Sequence, residues 1–566
     1  MKTLFKNGSV INVFTDKMEK ANVLVENGVI VGVGDYHDTD ADWVEDVSGK
    51  YLCPGFIDGH IHIESSMLTP AEFARASLCH GTTSVVADPH EIANVAGVAG
   101  IEYMLEASEG MPQDIYIALP SCVPATPLDE AGAILTAEEL RPLYTHERVV
   151  ALGEMMNYPG VLAGDEDVFR KIRDAQAFGK TVNGHAPAVS GCGLDRYLSA
   201  GIEDDHECAT AEEALERVAK GQWVMIRQGT AAKNLEALLP LFKEPYCRRC
   251  LLVSDDKHPA DLLREGHIDA VIRKAATLGA SPIVAIRMAT LQAAEHFRLR
   301  GVGAVAPGYR ADLLVLGDPF AATVERVYKS GRLVAEAGKV LPFASPAVRE
   351  KTESRVRKSF SLDPLKEEDF FVAPDRGRCR IIRVIPHQLF TAEESAELDF
   401  GENNGISVKE DILKLAVIER HSGTGHRGIG YIRGIGIQRG AIASSVSHDS
   451  HNLIVIGASE KDMTVAANRV RELGGGNVVA VDGKVLAEMP LPVAGLMSDL
   501  AAEEVAGQNE CVRSAVKALG AHGDIEPFMN MAFISLPVIP SLKMTTHGLV
   551  RVETQELLPL FMKTEE

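Results

Sequence analysis

A chain of 566 residues, 46% hydrophobic and 24% charged, has the length for two to four domains and the composition of an ordered, soluble protein. Its 79 acidic residues outnumber 57 basic ones, a formal charge of −22 that argues against binding a phosphate backbone or anionic lipid. No run of about 18 apolar residues spans a bilayer, the start MKTLFKNGSVINVFTDK lacks the long apolar stretch of a signal peptide, and nine irregularly spaced cysteines point to reduced thiols in a cytoplasm.

Residues 1–54 read as β. TLFKNGSVINV, NVLVENGVIVGVG and DVSGKYLCPG are strand-rich runs broken by Asn-Gly and Ser-Gly turn signals. A later segment, 301–345, matches them in style with ADLLVLGD and ERVYKSGRLVAEAG, so the two pieces are expected to form one small β-sandwich flanking a larger insert. Within that insert, 55–300, short apolar runs alternate with helical stretches: the run up to Phe56-Ile57, then TTSVVAD, DIYIALPS, VVALGEM, KTVNGHAP, GIEDDHE, WVMIRQG and CLLVSDD. Repeated β-α units over this length fit an α/β (β/α)8 TIM barrel, with a doubly wound open sheet as the rival. Residues 346–369 are charged and Pro-interrupted and read as a linker. A C-terminal α/β domain is expected over 370–566, with strands CRIIRVI, LKLAVIER and NLIVIGAS and a helix at EKDMTVAANRVREL.

The barrel's apolar runs end in chemistry. The first closes on His60-Ile61-His62, and in extended chain i and i+2 face the same way, so both imidazoles can reach one cation. Asp88 and His90 follow the second run, Glu154 the fourth, His185 and His206 the next two, and Asp255 and Asp256 the last. Singly, each reads more readily as a hydrogen-bonded structural residue than as a ligand. Together, His60, His62, Glu154, His185, His206 and Asp255 at one barrel mouth can hold two divalent ions, one carboxylate bridging. Mixed imidazole and carboxylate ligation suits Mn, Fe or Zn, and the absence of thiolate weakens the case for zinc in particular.

His62-Ile63-Glu64 and Cys247-Arg248-Arg249-Cys250 mimic the H-x-E and C-x-x-C of zinc deaminases, but Tyr246 separates Pro245 from Cys247 and the halves lie far apart, so the cysteines read as neighbouring core thiols. Gly423, Gly425 and Gly428 form a G-x-G-x-x-G without a following helical pattern, which reads as a glycine-rich loop. His448 and His451, in SHDSHN, read either as a polar turn or as a lid or extra metal site reaching over the barrel mouth.

PGFIDGHIHIESSM, DPHEIANVAG, GEMMNYPGV, the His185 and His206 segments and SDD resemble the amidohydrolase superfamily, and within it the adenine deaminase group. The resemblance extends over nearly the whole chain, including GHRGIGYIRGIG and SVSHDSHN. It implies that His60, His62 and Asp255 bind one metal and His185 and His206 the other. Glu154 takes the bridging place that a carbamylated lysine fills in many relatives, and the ions are expected to be Mn or Fe, with Zn possible. It further implies hydrolysis of adenine to hypoxanthine and ammonia in a purine-binding, cytoplasmic homodimer that contacts neither nucleic acid nor membrane. Metal coordination lowers the pKa of water from about 15.7 towards about 7, so a hydroxide is available to attack C6. Asp255 is expected to pass the proton to the leaving amine, and His90 to steady the tetrahedral intermediate. Glu64, Arg227 and Asp256 are candidate purine-edge contacts. The rival readings are another amidohydrolase reaction, on a different aminated heterocycle or a cyclic amide, and a barrel scaffold without catalysis.

Overall fold

The computed structural model describes residues 2–230, 232–386, 388–401 and 403–562. The chain divides into two compact units, one of residues 1–89, 104–121 and 136–347, the other of 90–103, 122–135 and 348–566. Two stretches from inside the expected barrel range, 90–103 and 122–135, thus belong to the second unit.

In the first unit, the strands Thr181–Gly184, Val149–Met155, Asp114–Leu119, Thr82–Ala87 and Phe56–His62 lie side by side, all parallel. Asp204–Asp205, Trp223–Arg227 and Cys250–Val253 continue the parallel series. The sheet curls shut at both seams. Glu203 N–H donates to the Val182 carbonyl at 2.9 Å, and the last strand resumes at Asp255–Asp256 to pair with Ile61 and His62. The product is a TIM-like α/β barrel. Its first and fourth strands are buried along their whole length, the near-continuous apolar signature of parallel strands covered on both faces.

Buried polar groups hold the closing seam. The Asp58 carboxylate accepts from Ser254 N–H at 3.1 Å and Ser254 Oγ at 2.5 Å, tying the first strand to the last, and lies 2.9 Å from His267 Nε2. Asp204 does the same between the fifth and sixth strands: it accepts from Asn183 Nδ2 and Gly184 N–H and sits 2.6 Å from His296 Nε2. At Gly184 a Cβ would meet the Asp204 carbonyl at 2.1 Å, so only glycine lets these strands approach. Gly184→Ala is therefore expected to destabilise the protein by about 1–3 kcal/mol, read as a lowered thermal midpoint; an unchanged midpoint would contradict the close approach.

The segments flanking the barrel pair with each other. Tyr51–Pro54 lies between Ser9–Asn12, to which it is parallel, and Leu313–Leu316, to which it is antiparallel, in a seven-stranded sheet. A four-stranded sheet of Val29–Gly34, Asn22–Glu26, Lys2–Lys6 and Trp43–Asp46 shares a core with it through Phe5, Val25, Ile30, Leu52, Leu313 and Tyr328. The Asn-Gly signals sit at turns as expected, with Asn7 and Asn27 in the left-handed region (φ 66° and 51°).

The second unit carries an eight-stranded sheet in the order Thr391–Ala396, Cys379–Val384, Arg427–Arg433, Ile412–Ile418, Leu453–Gly457, Ala441–Ser444, Gly476–Val481, Lys484–Pro490. All its pairings are antiparallel except that of Cys379–Val384 with Arg427–Arg433. Helix Glu460–Leu473 is capped by Ser459 and ends at Gly474 (φ 73°). Its Met463, Ala466, Ala467 and Val470, at helical spacing, pack on Ala441, Val455 and Val478. The expected linker contains a helix, Glu350–Arg357. The glycine-rich loop expected around Gly428 is corrected: Arg427–Arg433 is an inner strand. Its glycines serve close packing, since a Cβ on Gly428 would meet the Thr545 carbonyl at 2.0 Å and one on Gly430 the Met544 Cε at 2.7 Å. Among the described residues no helix is long and apolar enough to cross a membrane, and all nine cysteines are free, Cys247 and Cys250 being buried core thiols.

Candidate metal centre

Six of the side chains singled out by the sequence meet at the C-terminal ends of the barrel strands. His60 and His62 leave the first strand on one side, as the two-residue repeat requires. Their Nε2 atoms lie 3.4 and 3.2 Å from Asp255 Oδ1. Glu154 divides its oxygens: Oε1 is 3.3 Å from His62 Nε2, while Oε2 is 2.8 Å from His185 Nδ1 and 3.1 Å from His206 Nε2. A carboxylate so placed could join two cations, one held by His60, His62 and Asp255 and the other by His185 and His206.

The donor set fits divalent ions on other grounds. All but His185 are almost fully buried, and His60 Nε2 is a buried nitrogen that makes no hydrogen bond to the protein. His62 Nδ1–H donates to the Asp88 carbonyl at 3.0 Å, which directs the Nε2 lone pair into the centre. Burial by itself would raise Glu154 and Asp255, yet the histidines beside each, together with Arg227 for Asp255, hold both well below the usual carboxylate range. Burial likewise disfavours charged His62 and His206, but the facing carboxylates outweigh it and push both well above the ordinary imidazole value. The cluster thus attracts positive charge at its centre.

The supporting residues lock this geometry. Asp88 Oδ2 accepts from Glu154 N–H at 2.8 Å, and a Cβ on Gly153 would strike that carboxylate at 2.1 Å, so the glycine before Glu154 makes room for Asp88. Tyr197 Oη accepts from His185 N–H at 2.9 Å. Asp255 itself has φ +62°, in the left-handed region that a non-glycine residue enters at a cost of about 1–3 kcal/mol, the kind of strain that collects at functional sites.

The candidate purine contacts divide. Glu64 is buried in the short helical turn Ile63–Ser66, and half-buried Asp256 accepts from Ser65 Oγ at 2.5 Å. Arg227 is committed elsewhere: it donates to Glu207 at 2.5 and 2.9 Å, to Asp255 Oδ2 at 3.0 Å and to Asn234 at 3.0 Å. Its first role is therefore to hold carboxylates. Glu207 was missed as a site residue, and its Oε1 lies 3.3 Å from His206 Nε2 and 3.5 Å from His185 Nδ1. Strand alternation would turn it away from His206, but the strand stops at Asp205 and alternation stops with it.

His90 opens the helix His90–Ala96 and belongs to the second unit, where its Nε2 is 3.8 Å from Asp449 Oδ1. There His448 Nδ1 lies 3.9 Å and His451 Nε2 3.7 Å from the Glu91 carboxylate. Ser447 N–H donates to His451 Nδ1 at 3.2 Å, so in the neutral ring the proton sits on Nε2 and no lone pair faces Glu91.

Two family models match the chain, the amidohydrolase family over residues 51–334 and the adenine deaminase C-terminal domain over 388–556. The chain is 47% identical over 562 residues to an adenine deaminase of Desulfatibacillum aliphaticivorans, covering 99% of this chain and 97% of the relative. The chain belongs to the adenine deaminase family of amidohydrolases. Adenine deaminase 2 of Carboxydothermus hydrogenoformans is 47% identical over 98% of this chain and 96% of its own, and the Geobacillus kaustophilus adenine deaminase 43% identical over 98% and 96%. Family membership implies divalent metal ions, and the clustered histidines and carboxylates of the barrel are groups that can hold them.

Proposed function

We propose that this adenine deaminase family member hydrolyses adenine to hypoxanthine and ammonia at the barrel site. The observation that carries the reading is Glu154, whose two oxygens face two separate histidine sets. His60, His62 and Asp255 would hold one ion, His185 and His206 the other, and Glu154 would join them. When bound, the ions supply acidified water, which hydrolysis at neutral pH needs. Asp255 then does the proton work: its carboxylate takes a proton from the attacking water and delivers it to the exocyclic nitrogen as the C6–N bond breaks, while the water's second proton ends on N1, giving hypoxanthine and ammonia. Arg227 keeps Asp255 charged and oriented through the 3.0 Å bond to Oδ2, with one N–H left for a purine. Glu64 and Asp256 are proposed contacts to the purine edge.

His90 is proposed, on the sequence pattern alone, to steady the tetrahedral intermediate. Of the two roles expected for His448 and His451 we favour one without an extra metal, because the Ser447 N–H claims the His451 Nδ1 lone pair. We read residues 1–54 and 301–345 as a β-sandwich, 55–300, apart from the 90–103 and 122–135 stretches of the second unit, as the barrel, 346–369 as the linker and 370–566 as the C-terminal domain. Mn or Fe as the ions, argued from the mixed imidazole and carboxylate donors, a cytoplasmic location, argued from the free cysteines, and a homodimer, which rests on the resemblance, are further proposals.

The test is a panel of aminated purines, pyrimidines and cyclic amides, followed by ammonia release and chromatography of the product. Conversion of adenine to hypoxanthine ahead of all others supports the reading. Turnover of a cyclic amide with adenine untouched would move the chain to the alternative amidohydrolase reaction.

A further inference from the structure

The family pattern assigns five residues and a bridge to the two ions, and leaves Glu207 without a role. Its position argues for one. Glu207 Oε1 faces His206 Nε2 at 3.3 Å and His185 Nδ1 at 3.5 Å, the same two nitrogens that Glu154 Oε2 faces at 3.1 and 2.8 Å. Both Glu207 separations exceed the 2.7–3.2 Å of a hydrogen bond. The 3.3 Å separation falls within the ligand-to-ligand edges around a small divalent ion, roughly 3.0–3.4 Å when each donor sits about 2.1 Å from the metal, and the 3.5 Å one lies just beyond them.

Glu207 is also held as a ligand carboxylate is held. The Arg227 guanidinium grips it in a fork, Nη1 on Oε1 at 2.5 Å and Nη2 on Oε2 at 2.9 Å, and Nη1 also reaches Asp255 Oδ2 at 3.0 Å. Oε1 has two lone pairs, so one can accept from Arg227 while the other points between the histidines. Through Arg227 the carboxylates on the two sides of the centre, Asp255 and Glu207, are fixed relative to one another.

Building on the two-metal reading of the barrel, we infer that Glu207 is an additional protein ligand to the ion held by His185 and His206. The consequence is an asymmetry. With Glu154 counted for both ions, each would have two imidazoles and two carboxylates, Asp255 completing one set and Glu207 the other. Without Glu207 the second ion would be the more weakly held.

Glu207→Gln keeps the shape but removes the charge. Metal-stripped wild type and variant would be titrated with Mn against a chromophoric chelator, a readout independent of turnover. Wild type is expected to bind two ions, and E207Q to bind one with wild-type affinity and the other at least about tenfold more weakly. Two ions bound by E207Q with wild-type affinities would overturn the inference. If E207Q does not fold, the crystal structure of wild-type protein carrying two Mn ions decides: Glu207 Oε1 within about 2.3 Å of the ion beside His185 and His206 supports the assignment, and a separation beyond about 3 Å overturns it. Wild-type protein binding no metal would sink the two-metal reading itself, which separates that failure from a failure of the Glu207 assignment alone.

Discussion

Glu154→Gln is expected to abolish adenine deamination nearly completely while leaving the barrel folded. Glu154 faces both histidine sets with its two oxygens. Its carboxylate is almost fully buried and carries the negative charge shared between them. The amide of glutamine can offer one oxygen but not two anionic ones, so one ion loses its bridge and the buried centre loses its compensating charge. Losing the bridge is expected to lower turnover on the order of a thousandfold, equivalent to roughly 4 kcal/mol of activation barrier. Metal content, measured by elemental analysis on the same sample, is expected to fall below two ions per chain. A variant with wild-type turnover would mean that the two histidine sets do not act as one centre.

Asp255→Asn is the second large effect, and its signature differs. The change is isosteric, but Asp255 Oδ1 faces His60 and His62 while Oδ2 accepts from Arg227, and the single asparagine oxygen can keep only one of those places. What is lost is the group that carries a proton from water to the leaving nitrogen. General acid–base catalysis of this kind contributes about 10²–10⁴-fold, so kcat is expected to drop by that factor. KM is expected to move little, because Asp255 is not proposed to hold the purine. Circular dichroism should match wild type. An unchanged kcat would remove Asp255 from the proton path, and a raised KM at constant kcat would make it a binding residue instead.

How much of this was legible in the sequence depends on how local the signal was. The barrel strands were readable because each is a short apolar run ending in a polar residue, and strands buried on both faces have just that form. The clustering of these histidines was readable because His60 and His62 obey the two-residue repeat and His185, His206 and Asp255 each close a run. Glu207 was not. Its placement depends on the strand ending at Asp205, a boundary that no residue pattern marks.

Arg227 shows a different limit. Its position at a strand end was visible, but the identity of its partners was not, since Glu207 lies 20 and Asp255 28 residues away in the chain. The strand containing Gly428 reads as a glycine-rich loop from sequence for a related reason. Glycine weakens strand propensity locally, and the compensating observation, the Thr545 carbonyl and Met544 lying against that strand, comes from more than a hundred residues downstream. The assignment of 90–103 and 122–135 to the second unit is likewise a tertiary fact, invisible to any window on the chain.

The measurement that bears most directly on the central claim is a titration of metal-stripped protein with Mn while ammonia release from adenine is followed. The account predicts no turnover without metal and a rise to a plateau only when two ions per chain are bound. Full activity in the metal-free protein, or a plateau reached at a single ion, would contradict it.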